Sequence, residues 1–292
     1  MTSREAGFLL LTSRLGNIRR SVLSSVQLDI VEQAVLSATR TESNRDITQQ
    51  DLLDMGLGAE LAQKVLQLLD ERFLLDRYLQ KADFSGITPI TRVSHTYPLR
   101  LHKRLSADAP GCLWAKGNMD LLKKPAIALV GSRELFPENA AFAKEVGKQA
   151  ALQGFVLVSG NARGADSLAQ ESCLSHGGGV ICVLPDRLTQ QTARDRVLYI
   201  SEDGFDLPFS SSRALRRNRI IHALGGVTFI AQCRSGHGGT WSGVQYNLQH
   251  NVSPMFCYND ASIGTTRLME LGIRAIEPEE LFRLTEIFNS SL

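Results

Sequence analysis

Short apolar runs alternate with amphipathic segments through the second half of the chain. The apolar runs lie at 126–130, 155–158, 180–184, 197–200, 227–231, 255–258 and 274–276. The segments between and after them carry apolar residues at helical spacing and lie at 139–152, 165–175, 213–224, 241–250, 265–271 and 279–288. This alternation is typical of a parallel sheet with helices on both faces, and it predicts an α/β fold.

The first 83 residues follow a different pattern, with apolar residues at helical spacing and no good strand. Leu28 and Val31 mark one helix, and residues 48–51 form a capping-box-like start of another. We therefore expect a small all-α domain over residues 1–83 and an α/β domain over residues 84–292.

A glycine turn within the helical domain has two interpretations. Gly56 and Gly58 separate two predicted helices, as in a helix-hairpin-helix, whose exposed backbone amides can hold a nucleic-acid phosphate. An ordinary glycine break in a helical bundle explains the same residues. The ordinary break is favoured, because a single G-x-G is a weak signal.

The stretch from 84 to 124 is irregular in pattern and rich in proline and glycine. Arg92, Arg100, Lys103 and Arg104 fall in a part of it that contains no acidic residue. Such residues form either a solvated connector or a strip that faces DNA, and the connector is favoured.

Composition and charge exclude some classes of protein. The 292 residues are 43% hydrophobic and carry 32 Lys and Arg against 30 Asp and Glu, a net charge of +2, which excludes a disordered chain and a diffuse polycation. There is no apolar window of about 18 residues and no secretory signal, so we expect a cytoplasmic protein without a membrane partner. The five cysteines have no C-x-x-C spacing, which favours buried free thiols over zinc ligands or disulfides.

Glycine, serine, threonine and arginine follow several of the predicted strands. The carboxyl ends of parallel strands lie along one edge of a sheet, where ligands bind near helix N-termini. Backbone amides at glycine, hydroxyl groups and guanidinium groups are the donors that hold phosphate. The loops therefore predict a phosphate-binding site rather than merely tight turns. Its predicted residues are Gly131, Ser132, Arg133, Ser159, Gly160, Arg163, Gly164, Ser235, Gly236, Gly238, Gly239 and Thr240.

A further basic cluster opens the predicted helix at 213–224. It consists of Arg213, Arg216, Arg217, Asn218 and Arg219. The first three arginines share one helix face, whereas Arg219 points elsewhere. Because no acid falls within residues 210–221, contact with a phosphate backbone is favoured over a solvated surface helix.

The sequence carries few signals of catalysis. The histidines show no metal-binding spacing, and there is no Walker lysine motif, nucleophile elbow or dinucleotide fingerprint after the first strand. We expect no cofactor and no metal. Asp166 is interpreted as a helix cap or a local hydrogen-bond acceptor, and Glu202 with Asp203 as a solvated turn.

Several motifs together resemble the DNA-processing protein A (DprA, or Smf) family, over about residues 95–277. In chain order they are VGSR, SGNARGADSLA, SED, RRNRII, SGHGGT and GTTRLMELGIRAI. The resemblance departs at Gln170, where the family usually has histidine.

The resemblance implies an extended Rossmann-like fold that binds single-stranded DNA without hydrolysing it. It also implies a homodimer that helps to load the RecA recombinase during natural transformation, and hence a non-enzyme acting in DNA recombination. Arg133 would contact a DNA phosphate. Ser159, Gly160, Arg163, Arg217 and Arg219 would line the same pocket.

Alternative interpretations of the phosphate-binding loops remain open. The same superfamily includes nucleotide-binding sensors of phage defence and LOG-type nucleotide hydrolases, and the glycine loops resemble theirs. The hydrolases need a glutamate shortly after the loop, whereas Thr240 is followed by Trp241, Ser242 and Gly243. A scaffold with a silent pocket is the third reading.

Overall fold

One mixed sheet forms the centre of the protein. The computed structural model describes residues 1–38 and 46–291, and within them nine strands lie in the order β1-β2-β6-β5-β4-β3-β7-β8-β9. The strands are β1 Thr88–Thr91, β2 Cys112–Gly117, β3 Ala126–Val130, β4 Val156–Ser159, β5 Gly179–Val183, β6 Val197–Glu202, β7 Thr228–Ile230, β8 Met255–Tyr258 and β9 Arg274–Ile276. Strands β3 to β9 are parallel, as predicted.

Helices cover both faces of this sheet. They are α1 Ser3–Thr12, α2 Ser25–Ser37, α3 Gln49–Asp54, α4 Ala59–Leu69, α5 Arg72–Phe84, α6 Leu99–Leu105, α7 Pro137–Leu152, α8 Ala165–Ser175, α9 Ser211–Leu224, α10 Gly239–His250, α11 Ile263–Glu270 and α12 Leu284–Ser290. The closing helix predicted at 279–288 is divided into a short 3-10 helix, Pro278–Arg283, and α12.

The alternation of side chains along each strand creates two apolar layers. Ile127 and Leu129 of β3 face the layer that contains α7, α8 and α1. Ala128 and Val130 face the opposite layer, which contains α9, α10 and α6. The predicted α/β fold with helices on both faces is confirmed.

The stretch predicted as an irregular connector, 84–124, is part of the fold. It supplies β1 and β2, which pair antiparallel with each other and with β6, and α6. Arg100 donates to the carbonyl of Leu224 at 3.0 Å, and Arg104 donates to Gly225. The prediction of a solvated connector is therefore wrong. Arg100 and Arg104 donate to carbonyls at the end of α9, which have no partners within the helix.

The N-terminal helices form their own apolar cluster and also reach the sheet. Leu28 and Leu52 belong to the separate cluster, whereas Leu9 of α1 and Tyr78 of α5 join the main core. Thr48 forms the predicted capping box with the third residue of α3. The predicted helical domain includes residues 39–45, which lie outside the described part of the chain, and the division at residue 83 stays a prediction.

The cysteines are buried and unpaired, as predicted. Burial raises the pKa of Cys112 and Cys182 to about 12, so these thiols stay protonated and unreactive. Across residues 1–38 and 46–291, no helix is both long and apolar enough to span a membrane. Within the same ranges no group of three or more His, Cys, Asp and Glu could hold a metal ion.

An ion pair buried beneath α9 corrects the interpretation of residues 202–203 as a solvated turn. Glu202 is only 9% exposed and accepts hydrogen bonds from Arg219 at 2.6 and 2.9 Å. Arg216 donates to Glu202 at 2.9 Å and also pairs with Asp203. Burial alone would raise the pKa of Glu202, but the charges of Arg219 and Arg216 outweigh it and hold that pKa at about 2.

A second buried network joins α9 to α10 and β7. The His222 ring lies within hydrogen-bond distance of Thr228, at 3.1 Å, and of the Asn247 amide, at 3.0 Å. Burial is the larger cause, and the charge of Arg217 the smaller one, of a pKa of His222 that is lowered to about 4. The imidazole is therefore neutral at pH 7.

We expect Glu202→Gln to reduce the free energy of unfolding by about 3–5 kcal/mol, because it leaves the guanidinium of Arg219 buried without a counter-charge. Urea unfolding measures the change. The matched control is Arg267→Ala, which removes an exposed ion pair with Glu270 and should cost less than about 1 kcal/mol. Equal losses in the two variants would contradict the role given to Glu202.

The buried His222 makes the stability of the fold depend on pH. The folded pKa of His222 is about 4, below its ordinary value of 6.5, so the unfolded chain takes up a proton that the folded chain does not. The stability that neutral His222 contributes is complete above pH 6.5 and is lost as the pH falls towards 4, by about 2 kcal/mol between pH 7 and pH 5.

Urea unfolding of the wild type and of His222→Gln at those two pH values tests this. The variant should show a smaller pH dependence than the wild type. His95→Gln is the control, because the His95 side chain lies in solvent, and it should behave as the wild type. An unchanged pH dependence in His222→Gln would refute the assignment.

Candidate functional site

A cleft of about 610 Å³ opens at the carboxyl ends of the central strands. The chain runs outward from β3 in one direction through β4 to β6, and in the other through β7 to β9. The loops that follow β3 and β7 therefore separate at this point, which is where parallel α/β sheets bind ligands. The N-terminal part of α9 and the start of α10 form the other walls.

The structure brings many of the predicted residues together in this cleft. Those that line it are Gly131, Ser132, Arg133, Arg217, Asn218, Gly238, Gly239 and Thr240. The other predicted residues do not line this cleft, so the expectation that Arg163 and Arg219 line the same pocket as Arg133 is wrong. They are Ser159, Gly160, Arg163, Gly164, Arg213, Arg216, Arg219, Ser235 and Gly236. The fold thus joins loops that are about a hundred residues apart in the sequence.

Gly164 allows the loops after β3 and β4 to touch. Its φ of +84° is rare for a residue with a side chain, and a Cβ there would lie 2.4 Å from the carbonyl oxygen of Arg133. The amide of Ala165 donates to the carbonyl of Ser132 at 3.2 Å, which holds the two loops in register. Glycine at this position therefore shapes the backbone that presents Arg133.

Asp166 organises the loop after β4. Its carboxylate accepts the amides of Gly160, at 3.0 Å, and Ala162, at 3.1 Å, which confirms the interpretation of Asp166 as a local acceptor. Burial raises the pKa of Asp166 against the lowering effect of Arg217. Arg217 donates to the carbonyl of Gly160 at 2.9 Å, and a Cβ on Gly160 would collide with that guanidinium.

Gln170, the departure from the resemblance, also has a local role. Its side-chain amide donates to the hydroxyl of Ser159 at 2.5 Å, and both residues are buried. The contact links α8 to the end of β4, so Gln170 acts as a donor that positions Ser159 behind the cleft.

Three arginines of the basic cluster on α9 are already bound to other parts of the protein. Arg213 binds backbone carbonyls, including those of Pro185 and Leu207. Arg216 is paired with Glu202, and Arg219 is 7% exposed and paired with the same carboxylate. Residues 210–221 contain no acid, but the fold brings Glu202 of β6 into contact with this segment.

Two arginines on this sheet edge differ from those of the helix. Arg133 and Arg163 are exposed, and neither forms a side-chain hydrogen bond or an ion pair with the residues that the structure describes. Arg133 lines the cleft, whereas Arg163 lies outside it. Their charges remain available to a ligand.

The prediction of the site did not include several lining residues on α9 and in the loop before α10. On α9 they are Ser211, Ala214, Leu215 and His222, and in the loop they are Arg234 and His237. The signal was present for α9, because Ser211, Leu215, Asn218 and His222 recur at helical spacing and so share one face. Arg234 pairs with Glu134 at 3.0 Å across the mouth of the cleft.

Comparisons with known proteins agree with this architecture. The family model of DNA recombination-mediator protein A matches residues 88–285. The DNA processing protein DprA of Streptococcus pneumoniae is 33% identical over 178 residues, which are 55% of this chain and 60% of that relative. The chain thus spans less than two thirds of that relative's length.

Solved structures show the same fold. The crystal structure of DNA processing protein A from Streptococcus pneumoniae has a TM-score of 0.73 at 21% identity and covers 97% of this chain and 98% of its own. A structure of DNA processing protein A from Helicobacter pylori, reported for its single-stranded DNA binding mode, has a TM-score of 0.57 at 23% identity and covers 70% and 94%. Since the family model spans more than half of the 292 residues, the chain belongs to the DNA recombination-mediator protein A family.

Proposed function

We propose that this protein binds single-stranded DNA along the cleft and acts in DNA processing and recombination. The observation that carries the proposal is Arg133, an exposed arginine without an ion-pair partner among the described residues, held at the mouth of the cleft by the loop contact at Gly164. A guanidinium placed in this way can pair with phosphate oxygens without first losing a protein partner.

Backbone donors support a phosphate contact next to Arg133. Gly238 has a φ of +93°, and no heavy atom lies within 4 Å of a Cβ built on it, so a ligand can approach its backbone closely. Gly239 begins α10, whose first amides have no carbonyl partners within the helix. Arg133, Gly238 and Gly239 line the same cleft.

An aromatic side chain supplies a surface for a base. Phe209 lines the cleft and is 53% exposed, so its ring is accessible to a base. Stacking of a base on such a ring contributes about 1–3 kcal/mol and is tolerant of sequence. Phosphate contacts at the loops and stacking at Phe209 suit a strand better than a free phosphate.

We propose binding rather than catalysis. Asp166 is engaged by backbone amides, and Glu134 pairs with Arg234. The hydrolases need a glutamate shortly after the glycine-rich loop. Trp241 follows that loop here and packs against the buried apolar layer. These contacts favour a DNA-binding protein over the hydrolase reading.

Self-association and recombinase loading are proposals that rest on membership of the recombination-mediator family. For the intact protein we propose a homodimer that binds single-stranded DNA and delivers it to the RecA recombinase. Light scattering tests the dimer, and a recombinase-filament assay on DNA coated with single-strand-binding protein tests the loading.

We expect Arg133→Ala to weaken binding of a single-stranded oligonucleotide about ten- to hundredfold, because one charge-assisted phosphate contact is lost. The slope of log affinity against log salt should fall by about 0.7. Fluorescence anisotropy over a salt titration measures both quantities. The control is Arg196→Ala, an exposed arginine that precedes β6 at the opposite edge of the sheet.

The control variant should bind as the wild type does. Equal affinities of Arg133→Ala and the wild type would show that the strand does not use this cleft. Competition by free mononucleotide at micromolar concentration would instead favour a nucleotide sensor or hydrolase.

A further inference from the structure

The inner wall of the cleft carries a hydrogen-bond donor that the proposed phosphate contacts do not use. His222 is 1% exposed yet lines the cleft, and its Nε2 atom is buried with no hydrogen-bond partner among the residues that the structure describes. An unsatisfied buried polar group costs about 1–3 kcal/mol. Such a group is retained more readily where a ligand supplies the missing partner.

The surrounding hydrogen bonds determine which nitrogen carries the proton. The backbone amide of Ser253 donates to Oδ1 of Asn247 at 3.0 Å, which fixes the orientation of that side-chain amide. The amide nitrogen of Asn247 therefore faces Nδ1 of His222, at 3.0 Å. The same Nδ1 lies 3.1 Å from the hydroxyl of Thr228, which can donate as well. Since an amide nitrogen only donates, we assign Nδ1 as the acceptor and the proton of the neutral ring to Nε2.

Gly243 places no side chain against this N–H. A Cβ on Gly243 would lie 3.1 Å from Nε2 of His222 and 3.3 Å from the side chain of Asn218. Both Gly243 and Asn218 line the cleft. A side chain at position 243 would thus crowd Nε2 of His222, and glycine avoids that contact.

The charges around the donor favour a neutral acceptor over an anion. Arg217 is the cation near His222, and the carboxylates of Asp166 and Asp186 oppose its charge. A phosphate at this depth would lose its hydration without gaining an unopposed cation. A carbonyl oxygen needs only one donor to be satisfied.

We propose that His222 is a specificity-determining residue of the cleft, which donates its Nε2–H to an exocyclic carbonyl oxygen of a nucleobase. The inference rests on the proposed binding of single-stranded DNA and adds base selection to it. Thymine, guanine and cytosine carry such a carbonyl and adenine does not. Arg133 then holds the backbone at the mouth while His222 contacts a base inside.

The test compares three fluorescent strands of equal length: oligo-dT, oligo-dA and an abasic strand. Each is bound to the wild type and to His222→Leu, which removes the donor. We expect the variant to lose about tenfold in affinity for oligo-dT, the value of one hydrogen bond to a buried group, and to bind oligo-dA and the abasic strand as the wild type does. Because each strand is compared with itself, differences in strand stiffness cancel.

Gly243→Ala is a second variant that leaves His222 intact. Alanine favours the helix more than glycine does, so the fold should persist, while the new methyl group lies against Nε2 and blocks the approach of a carbonyl. We expect the same selective loss for oligo-dT. Thermal unfolding of both variants checks that each is folded.

The outcomes separate the inference from the function on which it rests. An equal loss for all three strands would place a phosphate, or only a structural role, at His222 and would overturn base selection. Unchanged affinity for oligo-dT in both folded variants would overturn it as well. Failure of the wild type to bind any strand would overturn the proposed function itself, and the inference with it.

Discussion

The carboxylate of Glu202 fixes the helix that forms one wall of the cleft. It lies at the end of β6 and accepts hydrogen bonds from Arg216 and Arg219 of α9. The pair of Glu202 with Arg219 is buried, and breaking it would leave a charge in the interior without its partner, so the contact holds its geometry. The direction in which α9 presents Arg217, Asn218 and His222 depends on this attachment.

Some arginines of this protein hold α9 in place, whereas Arg133 is exposed at the cleft. Arg100 and Arg104 bind the carbonyls at the end of α9, and Arg213 binds carbonyls near its start, so the helix is held at both ends by guanidinium groups. Arg133 instead remains exposed at the mouth of the cleft. A net charge of +2 is compatible with nucleic-acid binding because the charge that matters is a local one.

The cleft combines a polar mouth with a more enclosed interior. The mouth is built from the loops that Gly164 brings into contact, and it carries the exposed guanidinium of Arg133. The interior is bounded by α9 and α10, where the buried His222 ring lies against Asn247 and its Nε2 atom has no hydrogen-bond partner among the described residues. Backbone and base of a strand present the complementary pair of surfaces.

Much of the fold followed from local pattern. The alternation of apolar runs and helical segments was enough to predict the parallel strands β3 to β9 and both layers of helices, and the residues after β3 and β7 indicated the edge where the cleft lies. Strands β1 and β2 were missed because an antiparallel pair at the sheet edge depends on β6, a partner about eighty residues away, and carries no repeating helical segment. Pro89 further hid β1.

The sequence by itself determined the fold class, the family motifs and the loops that could hold a phosphate, since each of these is a property of neighbouring residues. Only the tertiary structure decided which charges remain free. The cluster at 213–219 looks uniformly basic along the chain, yet Glu202 neutralises Arg216 and Arg219, while Arg133 keeps its charge. The physical reason is that burial and ion pairing depend on which residues meet across the fold, and the order of residues along the chain does not contain that information.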